Sequence, residues 1–445
     1  MFHPIYIFFF ALLIRFLNLY FNQIDVSTYL VEDQLMYWDW SLKKAYSVNS
    51  VLDPSLLLER MPGSFLFFQF AIWLVGENLF NVLLLQIVID SINCVIIALI
   101  AKTLNRKLFF FAGITAVFSP LLIIVSSQIL SDTIFLFFFG SYIYFILNFS
   151  LNKKESFFYL AGLFLSLALF TRVVALPLIF LTLLYSIYIF YINKFHFLRA
   201  LKIISFFLVI SFSLAGPRII NNYSSYDTFS LTTQTGSHFA YWVVPGVLDF
   251  ENNDKKKTYQ KKIQKLNKNL ENETNPFEKS SALKKEAFST LFSLDKKSII
   301  FAWAKGAILN TFSPSLMLDK RVRDVAHPSF YQNNRSLTKW LTKVLYDKSF
   351  LKYKIVLLVS STTSVIFLFL TIYGTFISFK NHARVSLILY LITCYFIFVT
   401  GPVFSPKYIH PVLPILIVFQ SLTLMKIYQF FYNIFQKNIQ QQKVP

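Results

Sequence analysis

Four ionisable residues stand where apolar stretches of the chain end: Asp132, Arg172, Arg218 and Lys407. Two more, Arg15 and Asp90, lie inside such stretches. Ionisable groups beside or within hydrocarbon are costly, so they are the residues to interrogate for function. Carboxylates next to guanidinium and ammonium groups at a membrane surface suit one chemistry in particular, the transfer of a group from a lipid phosphate to a hydroxyl. A carboxylate takes the hydroxyl proton while Arg or Lys stabilises the departing phosphate. The bland alternative is a set of interfacial salt bridges and snorkelling bases.

The elements that must position these groups are membrane spans. Of 445 residues 56% are hydrophobic and only 14% charged, and the mean hydropathy is +0.55. These values exclude soluble, disordered, collagenous and disulfide-stapled classes. Apolar runs near the length of a bilayer crossing fall at about Ile5–Phe21, Leu79–Ala101, Leu108–Val125, Ile129–Phe149, Phe157–Thr171, Val173–Ile192, Phe197–Gly216, Ile355–Phe379, Val385–Thr400 and Tyr408–Phe431. The expectation is an all-α membrane protein with about ten transmembrane helices. The first run has neither a basic leader nor a small-residue cleavage site after it, and reads as a retained helix. Ser64–Val75 is too short to cross and is expected to be an interfacial helix. The expected organisation is an N-terminal transmembrane module (1–216) with a functional first outer loop (22–78), an outer-face helical cap (217–354) and a C-terminal transmembrane module (355–445).

Loop charges orient the bundle. Lys102, Arg106 and Lys107, then Lys153 and Lys154, then Lys194, Arg199 and Lys202, then Lys380 and Arg384, and finally Lys426, Lys437 and Lys443 fall on one side, with Glu155 the only acid. That side reads as cytoplasmic. The first loop then lies outside, and it holds Asp25, Glu32, Asp33, Asp39, Asp53 and Glu59 against Lys43, Lys44 and Arg60. The net charge of +20 is thus a topological signal, with anionic lipid as its natural partner; no nucleic-acid module accompanies it. Cys94 and Cys394 both lie in apolar runs and read as packing residues.

The long insert contains a Lys-rich part with Lys255, Lys256, Lys257, Lys261 and Lys262. Loops of this length translocate regardless of charge, so it does not reverse the orientation. Asn275 before Pro276, with Glu278 following, predicts a helix start. Leu283, Phe288, Leu291 and Leu294 supply its apolar stripe. Ile299–Phe312 predicts a second amphipathic helix, on or dipping into the membrane.

Taken in order, these residues resemble the GT-C superfamily of membrane glycosyltransferases, in particular the bacterial relatives of protein mannosyltransferase and of lipid A aminoarabinose transferase. Glu32-Asp33 followed by Tyr37 is similar to the family's acidic first-loop motif, which implies Asp33 as catalytic base with Glu32 beside it. Glu59-Arg60-Met61-Pro62 resembles the element whose cation engages the donor phosphate, with Glu59 near the sugar. Ser131-Asp132-Thr133 resembles a Ser-Glu-Thr element with Asp for Glu, and Thr171-Arg172 a Thr-Arg-Pro stretch in which Val173 replaces the proline. Gly216-Pro217-Arg218, running on to Asn221, Asn222 and Tyr223, resembles a Pro-Trp-x-x-Arg-Asn-Tyr segment with the cation moved to Arg218. Gln234-Thr235-Gly236-Ser237 falls where the family has Asn-Gly-Gly. Ser405-Pro406-Lys407-Tyr408, followed by His410, Pro411 and Pro414, resembles an Arg-Tyr-x-x-Pro-x-x-Pro helix entry, with Lys407 at the basic position.

The resemblance implies a polyprenyl-phosphate sugar donor, its phosphate against Arg60, Lys407 and Arg172 or Arg218, and a glycolipid, glycan or protein acceptor near Tyr37, Tyr408, His410 and Glu59. It implies catalysis by Asp33, Glu32 and Asp132 with no required cofactor, although the three carboxylates leave room for a divalent cation. Other readings stay open at this point. Arg172 fits snorkelling, His410 a capping or hydrogen-bonding role, and Tyr37, Trp38 and Trp40 an interfacial belt as well as a sugar platform. Asp90 reads as a packed, paired polar group. The rival class is a transporter or lipid flippase, which requires polar residues along a path through mid-membrane.

Overall fold

The computed structural model describes residues 3–22, 29–47, 50–251, 253–329 and 337–442. Asp25 and Lys443 lie outside these. The described residues form an all-α membrane protein, and helices occupy every apolar stretch that the sequence marks. They are α1 (Pro4–Tyr20), α2 (Asp33–Leu42), α3 (Gly63–Val75), α4 (Leu79–Leu104), α5 (Leu108–Val117), α6 (Pro120–Ser126), α7 (Asp132–Asn152), α8 (Glu155–Thr171), α9 (Leu176–Ile192), α10 (Phe197–Phe212), α11 (Gly216–Tyr226), α12 (Asn253–Asn269), α13 (Pro276–Ser293), α14 (Lys296–Phe312), α15 (Leu351–Thr400) and α16 (Leu413–Gln442). Shorter helical turns connect them.

Five described helices are long and apolar enough to cross a membrane, or up to seven if each bent pair is one span. The bent pairs are α5 with α6, at 52°, and α10 with α11, at 65°. This is fewer than the expected ten, for two reasons. First, α1 and α8 are apolar but only 17 residues long, about 25 Å against a hydrocarbon core of about 30 Å. Second, α15 is two helices read as one. His382 leaves helical geometry at φ −136°, ψ 21°, and the Ser378 and Ser386 hydroxyls then meet at 2.6 Å while Tyr390 Oη donates to Thr375 O at 3.3 Å. Eight residues of unbroken helix would hold Ser378 and Ser386 about 12 Å apart. The chain therefore doubles back at His382.

Three apolar cores hold the molecule. The largest joins the bundle helices through stacked rings such as Phe158 on Phe207, 4.4 Å between centroids. A second core seats the first loop on the bundle. Fully buried Phe65 of α3 is stacked by Tyr37 at 4.8 Å and Trp40 at 5.2 Å. The opposite face of α3 exposes Leu66, Phe70, Trp73 and Leu74, as an interfacial helix should.

The third core lies in the insert and gathers Tyr259, Ile263, Leu283, Ala287, Leu291 and Ala302. Its α13 begins as expected, with Asn275 Oδ1 accepting from Phe277 N at 2.9 Å. Helix α14 buries Ala302, Gly306 and Asn310, spaced at i, i+4 and i+8 on one face, and exposes Ile300, Phe301 and Ile308.

Inside the bundle Arg15 and Asp90 are fully buried and paired, with Nε 2.5 Å from Oδ2. The remaining guanidinium nitrogens donate to Cys94 Sγ at 3.0 Å and Val117 O at 3.2 Å. Asp90 is thus the packed, paired group that its lone position in a span suggests, and Cys94 is buried beside it. Cys394 departs from expectation: it is exposed on α15, because a continuous apolar run does not reveal which side of a helix meets its neighbours.

Candidate active site

Helix direction brings the outlying charges to one end of the bundle. Asp132 opens α7, Arg172 follows the end of α8, Arg218 lies in the first turn of α11, and Lys407 lies in the 3-10 turn Pro406–Val412 that leads into α16. The loop between α1 and α4 supplies Asp33 and Arg60 at the same end.

Asp33 is the first residue of α2, where the helix N-terminus favours a carboxylate. Its side chain is 44% exposed and lies between two cations: Arg60 Nη2 is 3.7 Å from Oδ1 and Lys407 Nζ 3.4 Å from Oδ2. Both contacts are long for charge-assisted hydrogen bonds, so the cations are held close without being locked. Glu32 is exposed and occupies φ 52°, ψ −123°, a left-handed backbone that non-glycine residues adopt at a cost of about 1–3 kcal/mol. Glu59 is exposed as well.

A tighter pair lies beneath. Arg172 Nη1 is 2.6 Å from Oδ1 of Asp132, whose side chain is only 7% exposed. The guanidinium carbon sits 5.5 Å from the Phe135 ring centroid. Arg172 is therefore turned inward onto a carboxylate, and the snorkelling reading fails. Lys407, which pairs with Asp33, is also close enough to Asp132 to act on it electrostatically. His410 is fully buried, and neither ring nitrogen has a hydrogen-bond partner; it underlies the site rather than opening onto it. Tyr37, Trp38 and Trp40 are all buried in the loop core, so neither an interfacial belt nor an open sugar platform describes them. Tyr408 is half-buried beside Lys407.

Arg218 faces the loop. Its Nη2 donates to Leu57 O at 3.0 Å and its Nε to Leu231 O at 2.8 Å. Tyr46 completes this scaffold, its single hydroxyl proton shared between Leu57 O at 2.6 Å and Arg60 O at 2.7 Å. Burial pushes the Tyr46 phenol above its ordinary range, keeping it a donor. Gly63 allows the Arg60 turn to approach α8: a Cβ there would lie 2.7 Å from Phe170 O, two residues before Arg172.

Three further residues near the site escape the sequence reading. His238 faces Arg60, and burial, assisted by that charge, holds its imidazole below the ordinary range. Asn310 clamps the approach to Lys407, its Nδ2 donating to Val403 O at 2.9 Å and its Oδ1 accepting from Ser405 N at 2.9 Å. Gly306 lets α14 reach the same connecting segment, since a Cβ would stand 2.0 Å from Gly401 O. A buried Asn, a Gly and a His in an insert carry no charge pattern by which to find them.

Among the described residues no three of His, Cys, Asp and Glu converge as metal ligands.

The fold and site define an integral membrane protein of α-helices with a cluster of acids and bases at one end of its bundle. No family model matches the chain, and no curated protein matches it. Among solved structures it is similar to ArnT from Cupriavidus metallidurans bound to undecaprenyl phosphate, at 13% identity and a TM-score of 0.40, over 93% of this chain and 76% of that one. It is also similar to the apo state of ArnT from the same organism, at 14% identity and a TM-score of 0.35 over the same shares.

Proposed function

We propose that the protein is a glycosyltransferase of the GT-C type, moving a sugar from a polyprenyl-phosphate carrier to a hydroxyl acceptor at the outer face of a bacterial plasma membrane. The observation that carries this reading is the half-exposed Asp33 carboxylate flanked by Arg60 and Lys407. A donor phosphate competes with Asp33 for both cations. Once they turn to it, the carboxylate is released to take a proton from the acceptor hydroxyl. The hydroxyl oxygen forms its bond to the anomeric carbon as the bond to the phosphate oxygen breaks, and the electron pair leaves with a phosphate held by Arg60 and Lys407. A single displacement of this kind inverts the anomeric configuration. Arg172, fixed by Asp132, and Arg218, fixed on the loop carbonyls, serve as the positive background of the site.

The transporter reading finds less support. The mid-bundle charges Arg15 and Asp90 neutralise each other in a fully buried, hydrogen-bonded pair, which offers no path for a polar solute. The test is chemical analysis of envelope glycans in a strain lacking the protein, complemented by wild type or by Asp33→Asn. A sugar missing in the deletion, restored by wild type and not by Asp33→Asn, is the expected result. Unchanged glycans in the deletion would overturn the proposal, and full restoration by Asp33→Asn would remove the base.

A further inference from the structure

The Lys-rich part of the insert forms α12, and its lysines sort into two groups. Lys255, Lys256 and Lys262 are neutralised by Glu251, Asp249 and Glu286 respectively. Lys257, Lys261, Lys265 and Lys268 are exposed and make no ion pair or hydrogen bond among the described residues. Their spacing of four, four and three residues places them within about 80° of arc on one helix face, as a stripe about 16 Å long. The buried residues Tyr259 and Ile263 lie on the opposite face, in the third core.

That core fixes which way the stripe looks. Ala302 of α14 belongs to it, and four residues on, Gly306 of the same helix packs against Gly401 of the bundle. The core thus stands between α12 and the bundle, and the lysines face away from the helices that cross the membrane. Four uncompensated charges rising about 6 Å per helical step exceed what one phosphate can contact. They match anionic groups repeated along a chain.

We propose that this stripe is a docking surface for a polyanionic chain, bearing phosphate or carboxylate groups at intervals, that approaches from the aqueous side. Such binding is independent of the transfer reaction and is tested without it. The full-length protein is placed in nanodiscs of uncharged lipid, with long-chain inorganic polyphosphate as the probe. The variant K257Q/K261Q/K265Q/K268Q keeps an exposed helix with good helix formers. A control, K107Q/K154Q/K202Q/K380Q, removes the same charge from loops and helix ends at the far end of the bundle. Wild type and control are expected to bind alike, while the stripe variant binds roughly tenfold or more weakly with a shallower salt dependence. In wild type, polyphosphate should protect the four stripe lysines from amine acylation. No binding by wild type, or an equal loss in both variants, would overturn the proposal. Protection of the stripe by phosphatidylglycerol nanodiscs without polymer would overturn it in favour of a membrane surface.

Discussion

Lys407 Nζ lies 3.4 Å from Asp33 Oδ2 although 374 residues separate the two in the chain. Asp33→Asn removes the proton acceptor and leaves both cations in place. We expect loss of transfer with undiminished binding of a polyprenyl phosphate, measured on purified protein by turnover and by equilibrium binding. Retention of turnover would assign the base elsewhere.

Arg60→Glu should act differently. It sets a second negative charge where phosphate is to sit, so donor affinity is expected to fall by tenfold or more. Arg60→Lys should recover part of it, because a lysine supplies charge without the planar fork. Affinity unchanged by the reversal would detach Arg60 from the donor.

Asn310→Leu fills a similar volume but orphans Val403 O and Ser405 N, which costs roughly 1–3 kcal/mol. The segment that leads to Lys407 loosens, so the melting temperature and donor affinity should fall together. A variant that melts lower yet binds donor as before would show that the clamp does not set Lys407.

Breaking the buried pair should be severe. Asp90→Ala leaves Arg15 charged and unmatched in the bundle, a loss of roughly 3–5 kcal/mol, whereas Arg15→Met with Asp90→Leu should recover most of it. Thermal unfolding in detergent distinguishes the two; equal damage from both would argue that the pair does more than fill its site.

His238 supplies a pH dependence. Its folded-state value is depressed by burial and by Arg60, so the native state favours the neutral ring. The associated stability is present above the unfolded value of 6.5 and is lost as pH falls through the folded value. The melting temperature of wild type should therefore drop more steeply below pH 6.5 than that of His238→Gln. Parallel curves would exclude this residue as the cause.

Much of the site was legible in the sequence because a charge at the end of an apolar run has few explanations. Asp132, Arg172 and Lys407 are visible in that way, and helix direction alone gathers them at one end, whereas Asp33 and Arg60 lie within the first outer loop and stand out only through the family resemblance of their motifs. Which acid pairs with which base was not visible. Arg172 and Asp132 are 40 residues apart on neighbouring helices, and their rotation about the helix axes is set by packing. The rings of Tyr37 and Trp40 were misplaced for the same reason: ten residues of α2 do not declare their buried side until Phe65 arrives from α3. The turn at His382 was legible without proline or glycine, because Lys380 and Arg384 interrupt the apolar run there.

The Asn310 clamp and the turn it holds also bear on biosynthesis. During translation α2 is made early, while the 3-10 turn that presents Lys407 emerges only after α14 and both arms of the hairpin at His382. A nascent chain, or one truncated before residue 401, can insert most of its helices and still lack the second cation and its anchoring segment. On the proposed function, a chain that stops short of this segment lacks one of the two cations beside Asp33 and is expected to be inert toward the donor.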